Sequence, residues 1–300
     1  KMIISGLTPG IYEYKCGRVG YESDIQLFKV VAESTENFSF VQTTDQQGFN
    51  WGEYQVWQKA AKFIKDSENP TFTLNTGDMT QNGNRINEWI DYYNAGKPLF
   101  DGSNTSGNTL FNGVEQMNVI GNNDLCPADF EDLGDGNDLS KINAVNMLFF
   151  YTYEMDESNL PILTISGNTY LIPSLYSFDY NDVHFLMVNS EISEDTENLV
   201  FAGADLYSFM KTWCQNDINN TTKKWKIAAC HEMPFTIITD ALITSYLADN
   251  NVVRGGSRIN TTVKTGESYW FSRFMEQNNI RLCLGGHKHT YSQSYPIKEN

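Results

Sequence analysis

The spacing of apolar positions changes character near residue 38. Before it, the apolar pair Ile3-Ile4 is followed by a turn at Gly6-Leu7-Thr8-Pro9-Gly10, and residues 12–17 and 25–31 alternate apolar and polar side chains. That is strand patterning. About thirty residues cannot close a core of their own, so residues 1–33 read as part of a β domain or as strands packed on the rest. From Phe38 onward strands alternate with helices. Residues 38–44, 71–75, 119–120, 183–188, 225–230 and 280–284 have strand character. Residues 51–65 carry Trp57, Ala60, Ala61 and Ile64 at helical spacing, and residues 206–214 and 269–276 also read as helices. Such alternation predicts a layered α/β fold with buried sheets. Residues 101–113, rich in Gly, Asn, Ser and Thr, and the acidic stretch 129–140 predict long surface loops. No internal repeat is present.

Composition narrows this picture. At 300 residues the chain exceeds a single ordinary core, which predicts one large domain, 34–300, and a small appendage, 1–33. Hydrophobic residues at 40% and aromatics at 13% suffice for a globular core. No run of about 18 apolar residues predicts a membrane span. The chain opens at Lys1 inside a strand pattern, without a charged and apolar leader, and stops as abruptly at Asn300; both ends read as boundaries within a longer chain. The net charge of −16 argues against a nucleic-acid backbone as partner. Phosphate chemistry in so acidic a chain needs cations gathered in one cleft. Cysteines 16, 126, 214, 230 and 283 form no CxxC and no regular spacing, and Cys230 and Cys283 sit in apolar runs as buried small hydrophobes. The sequons at Asn37, Asn104, Asn219, Asn220 and Asn260 carry little weight in so Asn-rich a chain.

Candidate chemistry lies in five polar segments, each following an expected strand. They are Thr44-Asp45-Gln46-Gln47, Gly77-Asp78-Met79, Gly121-Asn122-Asn123-Asp124, Cys230-His231-Glu232 and Gly285-Gly286-His287-Lys288-His289. Loops at the carboxyl ends of strands in α/β sheets converge on the ligand site. Two carboxylates, an amide and three imidazoles there form a mixed N/O set suited to Mn, Zn, Fe, Co or Ni. His287 and His289, two apart in extended backbone, point the same way. Singly, each segment has an ordinary explanation: a Gly-Asp is commonly a turn and a strand-end Asp a helix cap. Three of the four histidines nevertheless fall in these loops. The fourth, His184 inside Val183-His184-Phe185-Leu186-Met187, reads as structural.

In this order the segments resemble the signature of the calcineurin-like metallophosphoesterases: Asp-x-His/Gln, Gly-Asp, Gly-Asn-His-Asp/Glu, a lone His, then Gly-His-x-His. The resemblance covers roughly residues 38 to 291 and is nearest to the purple acid phosphatases and their bacterial relatives. It implies a four-layer sandwich of two mixed β-sheets flanked by helices. Gly6-Leu7-Thr8-Pro9-Gly10-Ile11-Tyr12-Glu13-Tyr14 resembles the end of the fibronectin-type-III-like domain that precedes the catalytic domain in that group. Asp182-Val183-His184-Phe185, Val188-Asn189-Ser190 and Gly286-His287-Lys288-His289-Thr290-Tyr291 are also similar to it. The implied site holds two divalent ions. Asp45, Gln47, Asp78 and His289 would hold the first; Asp78, bridging, with Asn122, His231 and His287 would hold the second. Two such ions clamp a phosphoryl group and acidify a bridging water, and Asp78, His231 and Asn123 become the residues nearest the chemistry.

Three positions bear on how closely the chain follows the family pattern. Gln81 stands where purple acid phosphatases carry a tyrosine ligand, which implies no purple Fe(III) centre, and Gln47 is a weaker ligand than histidine. Asn123 stands where the catalytic histidine belongs. It can donate a hydrogen bond to a phosphoryl oxygen but cannot deliver a proton, and loss of a general acid costs about 10²–10⁴-fold. Alkyl phosphates should suffer most, and aryl esters or anhydrides least. Glu232 is expected to be an ordinary solvated carboxylate. Tyr291 and Asn123 are expected to line the cleft, and Arg254, Arg258 and Arg85 are candidates for a distal phosphate, each with a surface salt bridge as the alternative. The reading is a two-metal phosphoric ester hydrolase acting on a small phosphorylated substrate. The alternative is a weak or inactive relative serving as a binding module of an extracellular, cell-surface or virion-associated assembly, engaged through the N-terminal domain.

Overall fold

The computed structural model describes residues 6–22, 25–30, 37–68, 70–96, 110–124, 160–172, 174–192, 200–201, 204–234, 270–289, 291 and 293. In the lead-in, β1 (Gly10–Tyr14) pairs antiparallel with β4 (Gln26–Val30) around the short hairpin of β2 (Gly17–Arg18) and β3 (Tyr21–Glu22). Period-two alternation puts Tyr12 and Tyr14 on one face, where both rings meet Phe28 at 5.5 and 5.8 Å. Ile3-Ile4 lies outside the described residues.

Past residue 38 the alternation folds into two sheets. β5 (Phe40–Thr43), β6 (Phe72–Asn75) and β7 (Glu115–Asn118) form a parallel sheet in that order. Between β5 and β6 runs α1 (Trp51–Phe63), and between β6 and β7 come α2 (Ile86–Ala95) and α3 (Leu110–Gly113). The start of α1 is written in the sequence. Asn50 Oδ1 accepts from Gly52 N–H at 2.9 Å and Glu53 Oε2 accepts from Phe49 N–H at 2.8 Å, a reciprocal cap worth about 1 kcal/mol. Its buried face is Tyr54, Trp57, Gln58 and Ala61, and Ile64 just beyond it is also buried; of the positions the spacing suggested, Ala60 alone is exposed.

After the hairpin of β8 (Ile162–Ile165) and β9 (Asn168–Leu171), the second sheet takes the order β10 (Tyr176–Tyr180), β11 (Val183–Met187), β14 (Trp225–Glu232), β15 (Leu282–Gly286). β10 runs antiparallel to β11 and the others are parallel. The short pair β12 (Val200–Phe201) and β13 (Ala204–Asp205) leads into α4 (Leu206–Asn220), whose first turn is capped by Asp205, and α5 (Trp270–Gln277) precedes β15.

The sheets face one another across an aromatic core. Phe72 meets Phe40 at 5.4 Å and Phe185 at 5.5 Å, and Phe185 stacks on Phe178 at 4.7 Å. Such pairs add about 0.5–1.5 kcal/mol each beyond burial. On the opposite face of β6, Asn75 bonds the Tyr92 hydroxyl of α2, and Trp57 of α1 stacks on Tyr92. On the outer face of the second sheet, Leu186, Ala228 and Cys230 pack on Leu206, Met210 and Trp213 of α4 and Phe271 and Phe274 of α5. The result is helix, sheet, sheet, helix. β6 and β11 are buried at every residue, as strands covered on both faces must be.

Several boundaries differ from expectation. Residues 110–113 form α3 and bury Leu110, a single turn hidden by Gly/Asn composition. Val119-Ile120 follows β7 instead of forming a strand, buried on the way to the next loop. α4 continues to Asn220 because Asp217 and Ile218 prolong its buried face. Cys230 is buried, Cys283 is half-buried, and their sulfurs lie 3.8 Å apart. The stretch 129–140, Cys126, Asn104 and Asn260 lie outside the described residues. No helix among the described residues is long and apolar enough to cross a membrane.

Candidate metal centre

The carboxyl ends of β5, β6, β7, β14 and β15 converge, and the backbone there is bent in an unusual way. Asp45 (φ 55°), Asp78 (φ 55°), His287 (φ 74°) and His289 (φ 52°) make up four of the seven non-glycine residues with positive φ among the described residues. Left-handed backbone costs such residues about 1–2 kcal/mol each, so its concentration at one polar cluster points to function. Two glycines allow the crowding. A Cβ on Gly121 would lie 2.2 Å from Asp78 Oδ1, and one on Gly286 would lie 1.8 Å from Thr44 Oγ1 and 2.5 Å from Asp45 Oδ2. His231 and Glu232 are the last two residues of β14 and not a loop after it, and a register shift between Ala229 and Glu232 turns them toward the site. Gly285 and Gly286 likewise close β15.

Two groups of donor atoms result, Asp78 with His231 and His287, and Asp45 with Asp78 and His289. In the first, His231 Nε2 lies 3.3 Å from Asp78 Oδ2, 3.1 Å from Asn122 Oδ1 and 3.3 Å from His287 Nδ1, and Asn122 Oδ1 lies 2.9 Å from His287 Nδ1. In the second, His289 Nε2 lies 3.4 Å from Asp45 Oδ1 and 3.2 Å from Gln47 Nε2, which is 3.3 Å from Asp78 Oδ2. Asp78 Oδ2 therefore faces both groups. Bonds of about 2.1 Å to one ion place neighbouring donor atoms about 3.0 Å apart at right angles and about 3.4 Å apart in a tetrahedron. The spacings found span that interval, so the residues fit a pair of divalent cations.

Two further features agree with the fit. His231 Nδ1 donates to the Thr76 carbonyl at 2.8 Å, which leaves the Nε2 lone pair facing the cluster. Gln47 Oε1 is buried without a hydrogen-bond partner. A half-turn of that amide exchanges its two ends and brings the oxygen to face Asp78 and His289. Electrostatics concentrate in the same place. Burial alone would depress the His231 imidazole, but its hydrogen bond with Asp78 and that charge outweigh burial and push it up to about 9. Burial depresses His287. A cation at either position competes directly with the proton for these lone pairs.

One structural residue was missed in the motif, Asp124. Its carboxylate accepts from the backbone N–H groups of Asp78, Met79, Thr80 and Gly121 at 2.9–3.0 Å, pinning the loop after β6 to the loop after β7. Four backbone donors from two loops need an acceptor with several lone pairs, which was the available clue. Asp45 is held similarly, by His287 N–H at 2.9 and 3.0 Å and by Thr44 Oγ1 at 2.7 Å.

Other candidates fall elsewhere. Glu232 is 5% exposed, with its carboxylate 3.9 Å from His287 Nε2; it is not a solvated surface glutamate, because the end of β14 turns it inward. Tyr291 is 94% exposed and packs against almost nothing, so the structure does not bring it to the cluster. Arg85 precedes α2 and pairs with the buried Glu88 at 3.6 Å, the salt-bridge alternative. Arg254 and Arg258 lie outside the described residues. Asn123 is at the cluster, donating from its backbone N–H to Asp78 Oδ1 at 2.9 Å and from Nδ2 to Asp78 Oδ2 at 2.7 Å.

A family model described as calcineurin-like phosphoesterase matches residues 18–291. Among solved structures, the chain is similar to the purple acid phosphatase PPD1 from yellow lupin (Lupinus luteus) seeds, with a TM-score of 0.54, 15% identity, and coverage of 89% of this chain and 41% of that one. PhoD gives a TM-score of 0.45 at 11% identity, over 75% of this chain and 48% of that one. GAP50, described as the anchor in the inner membrane complex of Plasmodium, gives 0.41 at 13% identity, over 83% of this chain and 65% of that one. The chain thus spans less than half the length of the first two, and at 15% identity the likeness to the lupin protein speaks for the fold alone. No curated protein matches the sequence.

Proposed function

The chain belongs to the calcineurin-like phosphoesterase family, and from that premise we propose that it hydrolyses phosphoric esters or anhydrides with the help of two divalent cations. The observation that carries this reading is the single carboxylate oxygen, Asp78 Oδ2, faced from one side by His231 and from the other by Gln47. A carboxylate shared between two donor sets is what a two-cation centre requires. When bound there, such cations neutralise phosphoryl charge and furnish a water acidic enough to act as nucleophile near neutral pH.

The chain's own residues hold that arrangement. The Thr76 carbonyl fixes the His231 tautomer, the His287 N–H fixes Asp45, and Asp124 ties the two loops that carry Asp78 and Asn122. Asn123 holds Asp78 and carries no acidic proton for a leaving group, which favours aryl esters and anhydrides over alkyl esters. Arg254 and Arg258 keep their place in this proposal as contacts for a distal phosphate.

The test is to strip the protein with a chelator, reload it with Mn²⁺ or Zn²⁺, and assay an aryl monoester, an aryl diester and a nucleotide anhydride. Hydrolysis of at least one, lost on stripping and regained on reloading, is expected. Two bound ions per chain with all three substrates untouched would overturn hydrolysis and favour the binding-module alternative.

A further inference from the structure

Gln81, which stands where purple acid phosphatases carry tyrosine, and Asn123, which stands where the family signature has histidine, touch. Gln81 Nε2 donates to Asn123 Oδ1 at 3.2 Å, and Asn123 Nδ2 donates to Asp78 Oδ2 at 2.7 Å. The second bond is short for N–H···O, as expected where the acceptor carries charge. We propose that Gln81 is a positioning residue: it fixes the amide of Asn123 and, through it, the Asp78 oxygen that both donor sets share. This rests on the two-cation reading above.

The argument turns on an ambiguity that an asparagine always carries. Its amide presents a donor at one end and an acceptor at the other, and a half-turn exchanges them. With Oδ1 toward Asp78, lone pairs would face a carboxylate, and the shared oxygen would be pushed out of place. Asp78, an acceptor at both oxygens, selects the Nδ2 end, and Gln81 Nε2, bound to Oδ1, anchors the far end of the amide in that orientation. The backbone supports the same geometry. Asn123 N–H holds Asp78 Oδ1 at 2.9 Å, and Gly83 N–H donates to the Asn123 carbonyl at 2.8 Å. Asn123 thereby grips both oxygens of Asp78, one through its backbone and one through its side chain, and the carboxylate cannot turn. The two departures form one hydrogen-bonded unit directed at the shared carboxylate.

Gln81 acts only through Asn123, which makes the inference testable by background. The dissociation constant for Mn²⁺ alone, read from the paramagnetic resonance of the free ion, is measured on the stripped parent, Gln81→Leu, Asn123→Leu and the double variant. Loss of a partner hydrogen-bonded to a ligand typically weakens metal binding about 10–100-fold. Gln81→Leu is expected to weaken Mn²⁺ binding by about 10-fold in the parent and by less than about 2-fold in the Asn123→Leu background. An equal loss in both backgrounds, or none in the parent, would overturn the proposal. Should the parent bind neither Mn²⁺ nor Zn²⁺, the two-cation reading fails, and the coupling is read instead from thermal unfolding in chelator. Gln81→Leu should then lower the midpoint by about 2 °C in the parent and leave it unmoved in Asn123→Leu. Equal shifts would again overturn it.

Discussion

His184 and His231 sit on neighbouring strands of one sheet, both buried and both beside carboxylates, yet only His231 joins the candidate metal centre. His184 Nδ1 lies 2.7 Å from Asp179 Oδ1 and its Nε2 lies 2.7 Å from Asp217 Oδ2, and Ser177 Oγ donates to the second Asp217 oxygen at 2.6 Å. Two ring nitrogens meet two acceptors, so a single imidazolium satisfies the whole arrangement. His231 spends Nδ1 on Thr76, and its Nε2 then faces Asp78, Asn122 and His287 together. One proton cannot serve three partners. Burial alone would depress each imidazole, and neighbouring carboxylates raise both nonetheless. A raised pKa therefore does not separate the structural pair from the candidate site; an excess of lone pairs over protons does.

The sharpest way to break that comparison is at Asp78. Asp78→Ala should lower hydrolysis by about 10³-fold, the upper end of losing one preorganised charge-stabilising group, in steady-state assays on a protein that still folds. Hydrolysis at the parent rate with two ions bound would remove Asp78 from the site. Next comes His184. His184→Gln removes the imidazole from the buried Asp217 and leaves the half-exposed Asp179 with Lys223, 3.8 Å away; it should destabilise the fold by about 3 kcal/mol, read from urea unfolding, while metal content and turnover per folded molecule stay level. A variant as stable as the parent would mean that the Asp179–His184–Asp217 arrangement does not contribute to stability.

Asn123→His carries a smaller expected effect, a gain of about 10-fold on an alkyl monoester and less on aryl esters, because an imidazolium can protonate a poor leaving group. A uniform gain across substrates would mean that the new side chain only binds phosphate. The smallest effect is the pH dependence of stability. The folded pKa of His184 lies above its ordinary value of 6.5, so its stabilisation is complete below that value and fades as pH rises through the folded pKa. Urea midpoints measured upward from pH 6 should show a decline that His184→Gln removes.

Most of this architecture was legible in the order of the segments. Alternating strands and helices gave the layers, and the strand-end polar segments named Asp45, Asp78, Asn122, His231 and His287, which the structure brings together, because motif order survives where identity to relatives is low. Tertiary detail was not legible. Whether Glu232 is wet or dry depends on a register shift between β14 and β15 that no local pattern encodes. Asp124 looked like the end of a motif, since its four amide donors come from loops more than forty residues apart in part. The exposure of Tyr291 and the contact between Gln81 and Asn123 likewise depend on how loops meet in space.

The central claim, one carboxylate shared by two cation positions, is tested most directly by counting ions. Native mass spectrometry of the stripped protein titrated with Zn²⁺ should show two ions bound per chain, and fewer than two for Asp78→Ala at the same free Zn²⁺. Two ions bound to both proteins with equal affinity, or none bound to the parent, would contradict it.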